Sequence, residues 1–254
     1  STAMATTIDW NRRYKKGWAY GKQPNEFLVY CVDNYCSYLH DDHLPSHDHH
    51  LLSYGHHHTL HTLSLGEGQG RNAVYLATKG YHCTAVDYSI AGLSKVKDLA
   101  TARGVLDSIT VEHEDLCQYY PTPNHYDLII SIFCILKPVD REALHRRCIA
   151  ALRPGGLLIL QCFSPRQEEL RCNSSSSSSM TSFTSTSHWN LGPSTDCLVT
   201  CQQLTDDFEG LEIIHAEECT KMLNEGKYHR GKAILTEFVA RKKINVNNLM
   251  YSSM

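Results

Sequence analysis

Short apolar runs rich in β-branched residues alternate along this chain with longer segments whose apolar residues recur at helical spacing. The first pattern is typical of buried or half-buried β-strands, and the second is typical of amphipathic helices. The pattern predicts strands over residues 60–65, 82–87, 108–112, 126–133, 157–162, 211–216 and 232–241. It predicts helices over residues 72–78, 89–103, 140–152 and about 200–208, and two more before the first strand.

The alternation of strands with helices predicts an α/β fold, a doubly wound and mostly parallel sheet with helices on both faces. The last two predicted strands are joined without a helix, so we expect an antiparallel C-terminal hairpin at one edge of the sheet. In open sheets of this kind, ligands bind at the carboxyl ends of the strands, near the point where the strand order reverses. The fold therefore predicts where a functional site lies.

Two segments depart from this pattern in composition. Residues 40–61 hold nine of the sixteen histidines, and residues 173–188 are dominated by serine and threonine. Neither segment has helical or strand periodicity, so both are predicted to be exposed loops.

The overall composition narrows the class of protein. A chain of 254 residues with 42% hydrophobic residues has the size of one large domain, and a net charge of −3 gives no sign of a nucleic-acid or anionic membrane partner.

No apolar run reaches the length of a membrane helix, and the N-terminus lacks the apolar stretch of a signal peptide. The eleven cysteines are scattered without CxxC spacing, so we expect reduced thiols in a cytoplasmic protein. Residues 1–3 precede Met4 and are interpreted as left over from expression.

A glycine-rich turn follows the first predicted strand, in the sequence LSLGEGQGRN. Gly66, Gly68 and Gly70 allow a tight turn in which a ligand can approach backbone N–H groups at a helix start. Arg71 stands where a dinucleotide site would have its third glycine, which counts against a nicotinamide cofactor. Asp87 ends the second strand, where a carboxylate can accept both hydroxyls of an adenosine ribose. The alternatives are an ordinary tight turn and an aspartate that only caps the helix beginning near Ser89.

Further motifs follow in order, namely VDYS at 86–89, EDL at 114–116 and LRPGG at 152–156. Together with GEGQGRN at 66–72 they resemble the motifs of class I S-adenosylmethionine-dependent methyltransferases. Residues 10–28 and 225–242 resemble the tellurite-resistance and thiopurine S-methyltransferase-like small-molecule enzymes. The resemblance covers most of the chain outside the two biased segments. It implies a Rossmann-like seven-stranded sheet and one domain over 1–254, with lid helices at about 8–39 and loop inserts at about 40–58 and 173–188.

The resemblance also implies roles around the cofactor's methionine. Gly66 and Gly68 would line it with bare backbone, and Glu67 or Asn72 would engage its amino-acid head. Ser131, at the end of the fourth strand, would lie beneath the transferred methyl group, or it is simply a buried polar residue.

Other residues would hold the adenosine. Asp87 would bind the ribose, Tyr88 would form a wall for the adenine, Asp115 would accept from the adenine amino group, and the Leu116 backbone N–H would donate to the ring. For Tyr88 a purely structural role is equally open.

The N-terminal segment is predicted to cover the cofactor. Trp10 and Tyr14 are four residues apart and share one face of a helix. Their aromatic faces would stabilise the sulfonium cation, or they only pack that helix on the core. Pro24 and Asn25 start the next helix, which the resemblance assigns to closing the same pocket.

For the methyl acceptor, His229 and Arg230 are the candidate catalytic residues. Arginine offers a fixed fork to anions and histidine can exchange a proton near neutrality, so the pair would hold a soft anionic nucleophile such as a thiolate or reduced chalcogen species. The alternative is two solvated charges in a loop. Methyl transfer from a sulfonium requires no metal, and no resident metal is expected.

Other functions stay open at this point. The fourth strand ends in SIFCIL rather than the Asp/Asn-Pro-Pro-aromatic run of amino-methyltransferases, and no basic, aromatic-interleaved stretch predicts a nucleic-acid partner. A small-molecule acceptor is therefore favoured, with another oxygen or nitrogen acceptor as an alternative. A metal-binding module built on the histidine-rich segment of a catalytically silent methyltransferase fold is the rival from a different class.

Overall fold

A computed structural model describes residues 9–40, 59–174 and 195–244. The predicted loop inserts at 40–58 and 173–188 lie almost entirely outside the described residues. Within the described part, the chain forms one seven-stranded sheet with helices on both faces.

The strand order is β3-β2-β1-β4-β5-β7-β6. The strands are β1 (His61–Leu65), β2 (His82–Asp87), β3 (Ile109–His113), β4 (Tyr126–Ile132), β5 (Leu152–Phe163), β6 (Leu211–Glu225) and β7 (His229–Lys242). The first five are parallel, and β7 is antiparallel to both β5 and β6. The predicted fold, a Rossmann-like and mostly parallel sheet with an antiparallel C-terminal hairpin, is confirmed.

The helices of the described residues are α1 (Trp10–Lys15), α2 (Glu26–Tyr35), α3 (Arg71–Thr78), α4 (Ile90–Ala102), α5 (Pro138–Ala151), α6 (Gln167–Ser174) and α7 (Cys201–Asp207). Their starts follow from local capping. The Asn25 side chain accepts from the Leu28 N–H, and the Ser89 hydroxyl accepts from the Gly92 N–H. Helix α6 is not among the predicted elements.

The C-terminal hairpin is longer than its sequence pattern predicts. Strand β6 continues to Glu225 and β7 already begins at His229, whereas the predicted strands cover only 211–216 and 232–241. Residues 217–225 are mostly polar and, apart from the buried Leu223, at least partly exposed, so periodicity gives little strand signal there. Pairing with β7 in continuous register as far as Glu225 and His229 extends the strand nevertheless.

The core lies on both faces of the sheet. Leu128, Ile130 and Ile159 face α2, α3 and α4, whereas Ile129 and Leu158 face α5 and α7. This alternation follows from the two-residue period of a strand. The central strands are buried on both faces, and their carboxyl ends meet at one edge. Among the described residues, no helix is both long and apolar enough to span a membrane.

Helix α4 packs unusually close to the glycine-rich turn. A Cβ atom at Gly92 would lie 2.5 Å from the Gly68 carbonyl oxygen and 3.0 Å from Cδ2 of Tyr14. Only glycine at position 92 therefore lets α4, the turn and α1 come together.

We expect Gly92→Ala to destabilise the protein because the added methyl group overpacks this contact. Overpacking of a dense core costs about 1–3 kcal/mol, which corresponds to a Tm lower by about 2–10 °C for a domain of this size. Differential scanning calorimetry measures this, with Ser94→Thr, an added methyl group on the exposed face of α4, as control. A Gly92→Ala variant as stable as the control would show that the contact relaxes without cost.

Candidate functional site

Two adjoining cavities open at the carboxyl ends of β1, β2 and β4. The first has a volume of about 520 Å³ including its mouth, and its own lining includes Tyr20, Glu67, Gln69, Arg71, Asn72 and His229. The second has a volume of about 720 Å³ including its mouth, and its own lining includes Asp87, Tyr88, Asp115, Leu116 and Cys117. Both are lined by Trp10, Tyr14, Gly66, Phe133 and Ile135. Their position at the carboxyl ends of parallel strands is where open α/β sheets bind their ligands.

The turn between β1 and α3 forms the floor of both cavities. Gly66, Gly68 and Gly70 have φ values of 62°, 67° and 95°. Residues with a side chain rarely adopt these values, so glycine is favoured at all three positions. Gly66 therefore presents bare backbone to both cavities, and Gly68 lines the first. A Cβ atom at Gly68 would also lie 2.7 Å from the Tyr14 hydroxyl.

Glu67 turns its carboxylate toward the start of α3. It accepts from the Asn72 and Ala73 N–H groups, each at 3.1 Å, and from the Ser64 hydroxyl. Burial raises the pKa of Glu67 to about 7, although these hydrogen bonds act against burial. The Asn72 side chain accepts from the Asn25 N–H at 3.0 Å and so joins α2 to the turn.

Asp87 reaches across from the end of β2. Its carboxylate accepts from the Gly68 N–H and the Ser89 N–H, both at 2.7 Å. Burial raises the pKa of Asp87, whereas the two N–H donors and His113 favour the charged form. Ser89, not Asp87, caps α4, so capping alone does not explain Asp87.

The loop after β3 lines the outer part of the second cavity. Asp115 accepts from the Cys117 N–H at 3.0 Å, and Leu116 is buried beside it. From α5, Arg147 donates to the carbonyl oxygens of Cys117 and Tyr119 and thereby fixes this loop. Tyr88 lines the same cavity with half of its surface exposed.

The lid segment, residues 10–21, covers both cavities. The Trp10 and Tyr14 rings stack with centroids 5.5 Å apart, and the Tyr20 ring lies 6.4 Å and 6.5 Å from them. Gln69 attaches this segment to the glycine-rich turn. Its Oε1 accepts from the Ala19 N–H and its Nε2 donates to the Gly17 carbonyl, both at 2.7 Å. The lid segment is therefore bonded to the glycine-rich turn itself.

The inner wall of the first cavity is a buried ion pair beside an imidazole. Arg71 lies 2.9 Å from Glu225, and Glu225 lies 3.1 Å from Nδ1 of His229. The His229 ring contacts Tyr20 and Phe133, with centroid distances of 4.3 Å and 4.4 Å. Burial lowers the pKa of His229, although Glu225 acts in the opposite direction.

Two predicted site residues lie outside the cavity linings. Arg230 is exposed and donates to the Gly226 carbonyl at 2.6 Å, on the face of β7 opposite to His229. Ser131 is buried in register with Leu65 and Leu160, and the lining begins one and two residues later. The other predicted site residues line one or both cavities. The linings also contain residues that the sequence analysis missed, among them Tyr20, Gln69, Arg71, Phe133, Cys134 and Ile135, and Glu225 lies behind them.

Within residues 9–40, 59–174 and 195–244, no three histidine, cysteine, aspartate or glutamate side chains are grouped to hold a metal ion. The histidine-rich segment lies outside those ranges, apart from its two ends.

The family and the curated relative described below that match this chain are methyltransferases. Residues 62–156 match a family described as a methyltransferase domain. The chain is 29% identical over 108 residues to the tRNA 5-carboxymethoxyuridine methyltransferase of Escherichia coli strain K12, a match that covers 41% of each chain. The matched segment thus spans well under half of that relative.

Solved structures share the fold. TehB from Haemophilus influenzae superposes with a TM-score of 0.55 and 18% identity over 73% of this chain and 58% of TehB. Phosphoethanolamine N-methyltransferase 2 of Haemonchus contortus, in complex with S-adenosyl-L-methionine, superposes with a TM-score of 0.52 and 18% identity over 73% and 49% of the two chains.

We expect Gln69→Ala to loosen the lid segment without unfolding the protein. The substitution removes both hydrogen bonds to residues 17 and 19, each worth about 1 kcal/mol, so amide exchange there should quicken on the order of tenfold. Hydrogen-exchange mass spectrometry measures this, with the exposed Gln118→Ala as control. Unchanged exchange at residues 17–20 would mean that other contacts hold the lid segment.

Proposed function

We propose that this chain, which carries a class I S-adenosylmethionine-dependent methyltransferase domain with S-adenosylmethionine as its cofactor, methylates a small acceptor that bears a soft nucleophile, a thiol or a chalcogen species. The transfer is an in-line displacement at the methyl carbon, and it requires no metal. The observation that carries the proposal is the pair of adjoining cavities beneath one aromatic lid, one beside Asp87 and the other beside His229.

The second cavity takes the adenosine of the cofactor. Each oxygen of the Asp87 carboxylate accepts one backbone N–H and retains a lone pair for a ribose hydroxyl. Asp115 and the Leu116 backbone N–H take the adenine edge, and Tyr88 covers its face. A carboxylate that is already fixed by two N–H donors binds the ribose without having to reorganise.

The methionine and the methyl group lie over the bare glycine-rich turn, beside Glu67 and Asn72. The stacked Trp10 and Tyr14 rings border both cavities, where their π faces stabilise the sulfonium cation. Catalysis then comes mainly from alignment of the acceptor with the methyl–sulfur bond, which contributes up to about 7–11 kcal/mol in favourable intramolecular systems.

The acceptor enters the part of the first cavity near His229, next to the methionine of the cofactor. Apart from the Arg71–Glu225 pair, the cavity walls near His229 are aromatic or aliphatic, from Tyr20, Phe133 and Ile135. Apolar, polarisable walls suit a sulfur or selenium nucleophile better than a strongly hydrated oxygen. The Escherichia coli relative is named for a tRNA substrate, but a net charge of −3 offers little attraction to a phosphate backbone.

The proposal is tested by incubating the protein and S-adenosylmethionine with an aryl thiol, an aliphatic thiol, selenite with reductant, and a catechol. We expect methylated products from the thiols in the presence of a chelator, measured by mass spectrometry. Strong turnover of the catechol that depends on magnesium would overturn the assignment to soft nucleophiles. Binding of S-adenosylmethionine without turnover of any acceptor would favour a catalytically silent fold.

We expect Asp87→Ala to weaken S-adenosylmethionine binding more than about tenfold, because a charge-assisted hydrogen bond to the ribose contributes roughly 1.5–3 kcal/mol. Isothermal titration calorimetry measures the affinity, and near-ultraviolet circular dichroism verifies that the variant is folded. The exposed Asp107→Ala is the matched control and should bind normally. A folded Asp87→Ala variant with unchanged affinity would remove this carboxylate from the site.

A further inference from the structure

The first cavity contains no uncompensated positive side chain among the described residues that line it. Its arginine, Arg71, lies 2.9 Å from Glu225, and both side chains are about nine-tenths buried. Arg230 is on the opposite face of β7 and outside the lining. The sequence predicts that His229 and Arg230 together hold an anion, and the structure does not assemble that pair. An anionic acceptor would therefore enter a buried cavity whose described lining offers it no unpaired cation.

Among the described residues, groups on several elements act on the charge of His229. Burial among Tyr20, Phe133 and Phe163 lowers its pKa, and so do the guanidinium groups of Arg71 on α3 and Arg13 on α1. The Glu225 carboxylate on β6 acts in the opposite direction but does not outweigh them. Burial also keeps the Tyr20 hydroxyl protonated by raising its pKa. At neutral pH the imidazole is thus uncharged.

Glu225 decides which ring nitrogen of the uncharged imidazole carries the proton. Although burial raises the pKa of this carboxyl, its bonds to His229 and Arg71 outweigh burial and lower the pKa to about 2. Glu225 is consequently ionised and can only accept hydrogen bonds. The short contact of 3.1 Å to Nδ1 therefore requires the proton to be on Nδ1. Nε2 then keeps its lone pair, which is the form of histidine that acts as a base.

The carboxylate is itself held on both oxygens. Arg71 donates to Oε2 and the Asn25 side chain donates to Oε1, each at 2.9 Å. The hairpin turn that follows Glu225 is also fixed, since the Lys227 and Tyr228 N–H groups donate to the Ala19 carbonyl of the lid segment. The orientation of His229 is thereby coupled to the glycine-rich turn, α2 and the lid.

We infer that Glu225 is a positioning residue that holds His229 as a neutral base, and that the acceptors of this site are thiols or selenols that arrive protonated. The inference rests on the proposed function and specifies its substrate class. As the sulfur lone pair forms the bond to the methyl carbon, the bond from that carbon to the sulfonium breaks and S-adenosylhomocysteine leaves. The thiol proton passes to Nε2 of His229, and the resulting imidazolium is paired with Glu225.

Glu225→Gln tests this inference directly. The amide keeps the shape of the side chain but carries no negative charge, so the imidazolium that forms on proton uptake is no longer compensated and His229 becomes a weaker base. With the full chain, we expect kcat/KM for an aliphatic thiol, which is protonated at neutral pH, to fall at least about tenfold. For an aryl thiol that is already ionised, kcat/KM should not fall, because this acceptor needs no base and Arg71 is no longer neutralised, and the affinity for S-adenosylmethionine should not weaken. Glu217→Gln, an exposed carboxylate on the same strand, is the matched control.

The protonation state of the His229 ring provides a second measurement, which a purely structural role of Glu225 would leave unchanged. Nitrogen-15 NMR of the protein with bound S-adenosylhomocysteine should show His229 neutral and protonated on Nδ1, and the pKa of His229 should be lower in Glu225→Gln because the carboxylate that raises it is gone. The acid limb of kcat/KM for the aliphatic thiol should also lie below the ordinary histidine pKa, because protonation of Nε2 removes the base. An imidazolium or an Nε2-protonated ring in the native protein would overturn the inference, as would equal losses on both thiols. A native protein that binds the cofactor, has the expected tautomer and methylates no thiol would instead refute the proposed acceptor class.

Discussion

The backbone of Gly68 is enclosed on three sides, and the arrangement of the site depends on that close fit. Its N–H group donates to Asp87, its carbonyl oxygen lies where a side chain on Gly92 would clash, and the Tyr14 hydroxyl occupies the space of its missing Cβ. Glycine is required at both positions by contact distance as well as by the φ of 67° at Gly68. As a result, β2, α4 and the lid segment all meet the same peptide unit. A displacement of any one of them would alter the surface on which we propose that the cofactor rests.

A buried polar network extends this rigidity to the other end of the site. Asn25 is at its centre, because its backbone N–H donates to Asn72 and its side chain donates to both Gln161 and Glu225. Such a network is stable only when each polar member is satisfied, since an unpaired buried group costs more than a hydrogen bond returns. The start of α2, β5 and the hairpin thus have one compatible arrangement. The position of His229 is one consequence of it.

Periodicity and motifs predict the sheet, most helices and the predicted residues that line the second cavity, because these depend on local sequence. Ser89 and Asn25 are found as helix starts for the same reason. The first cavity depends on contacts between segments that are distant in the sequence, such as that of Arg71 with Glu225, and no local pattern indicates those contacts. His229 and Arg230 show this most clearly. With the last strand predicted to begin at 232, both residues are in a loop and can point the same way, whereas a strand that begins at His229 places them on opposite faces.

Ser131 illustrates a related difficulty at the end of a strand. It continues the register of β4 with Leu65 and Leu160, so its side chain stays within the sheet. The chain then turns at Phe133, whose φ of 55° is rare for a bulky residue. This turn directs Phe133, Cys134 and Ile135 toward the cavities in place of the serine. A single strained residue, which the sequence does not reveal, therefore selects the residues that line the site.

In the reaction that we propose, the charge balance of the first cavity favours an acceptor that arrives neutral. A thiolate that enters an apolar cavity loses its hydration before it meets the sulfonium, and the only arginine in the described lining is already neutralised by Glu225. A neutral thiol avoids that cost, and its sulfur gains negative charge only while the sulfonium loses its positive charge. The proton that leaves the thiol reaches His229 beside a carboxylate 3.1 Å away, so the new imidazolium is compensated from the moment it forms. The ion pair that excludes a free anion from the cavity is thus the same structure that accommodates the proton of a neutral acceptor.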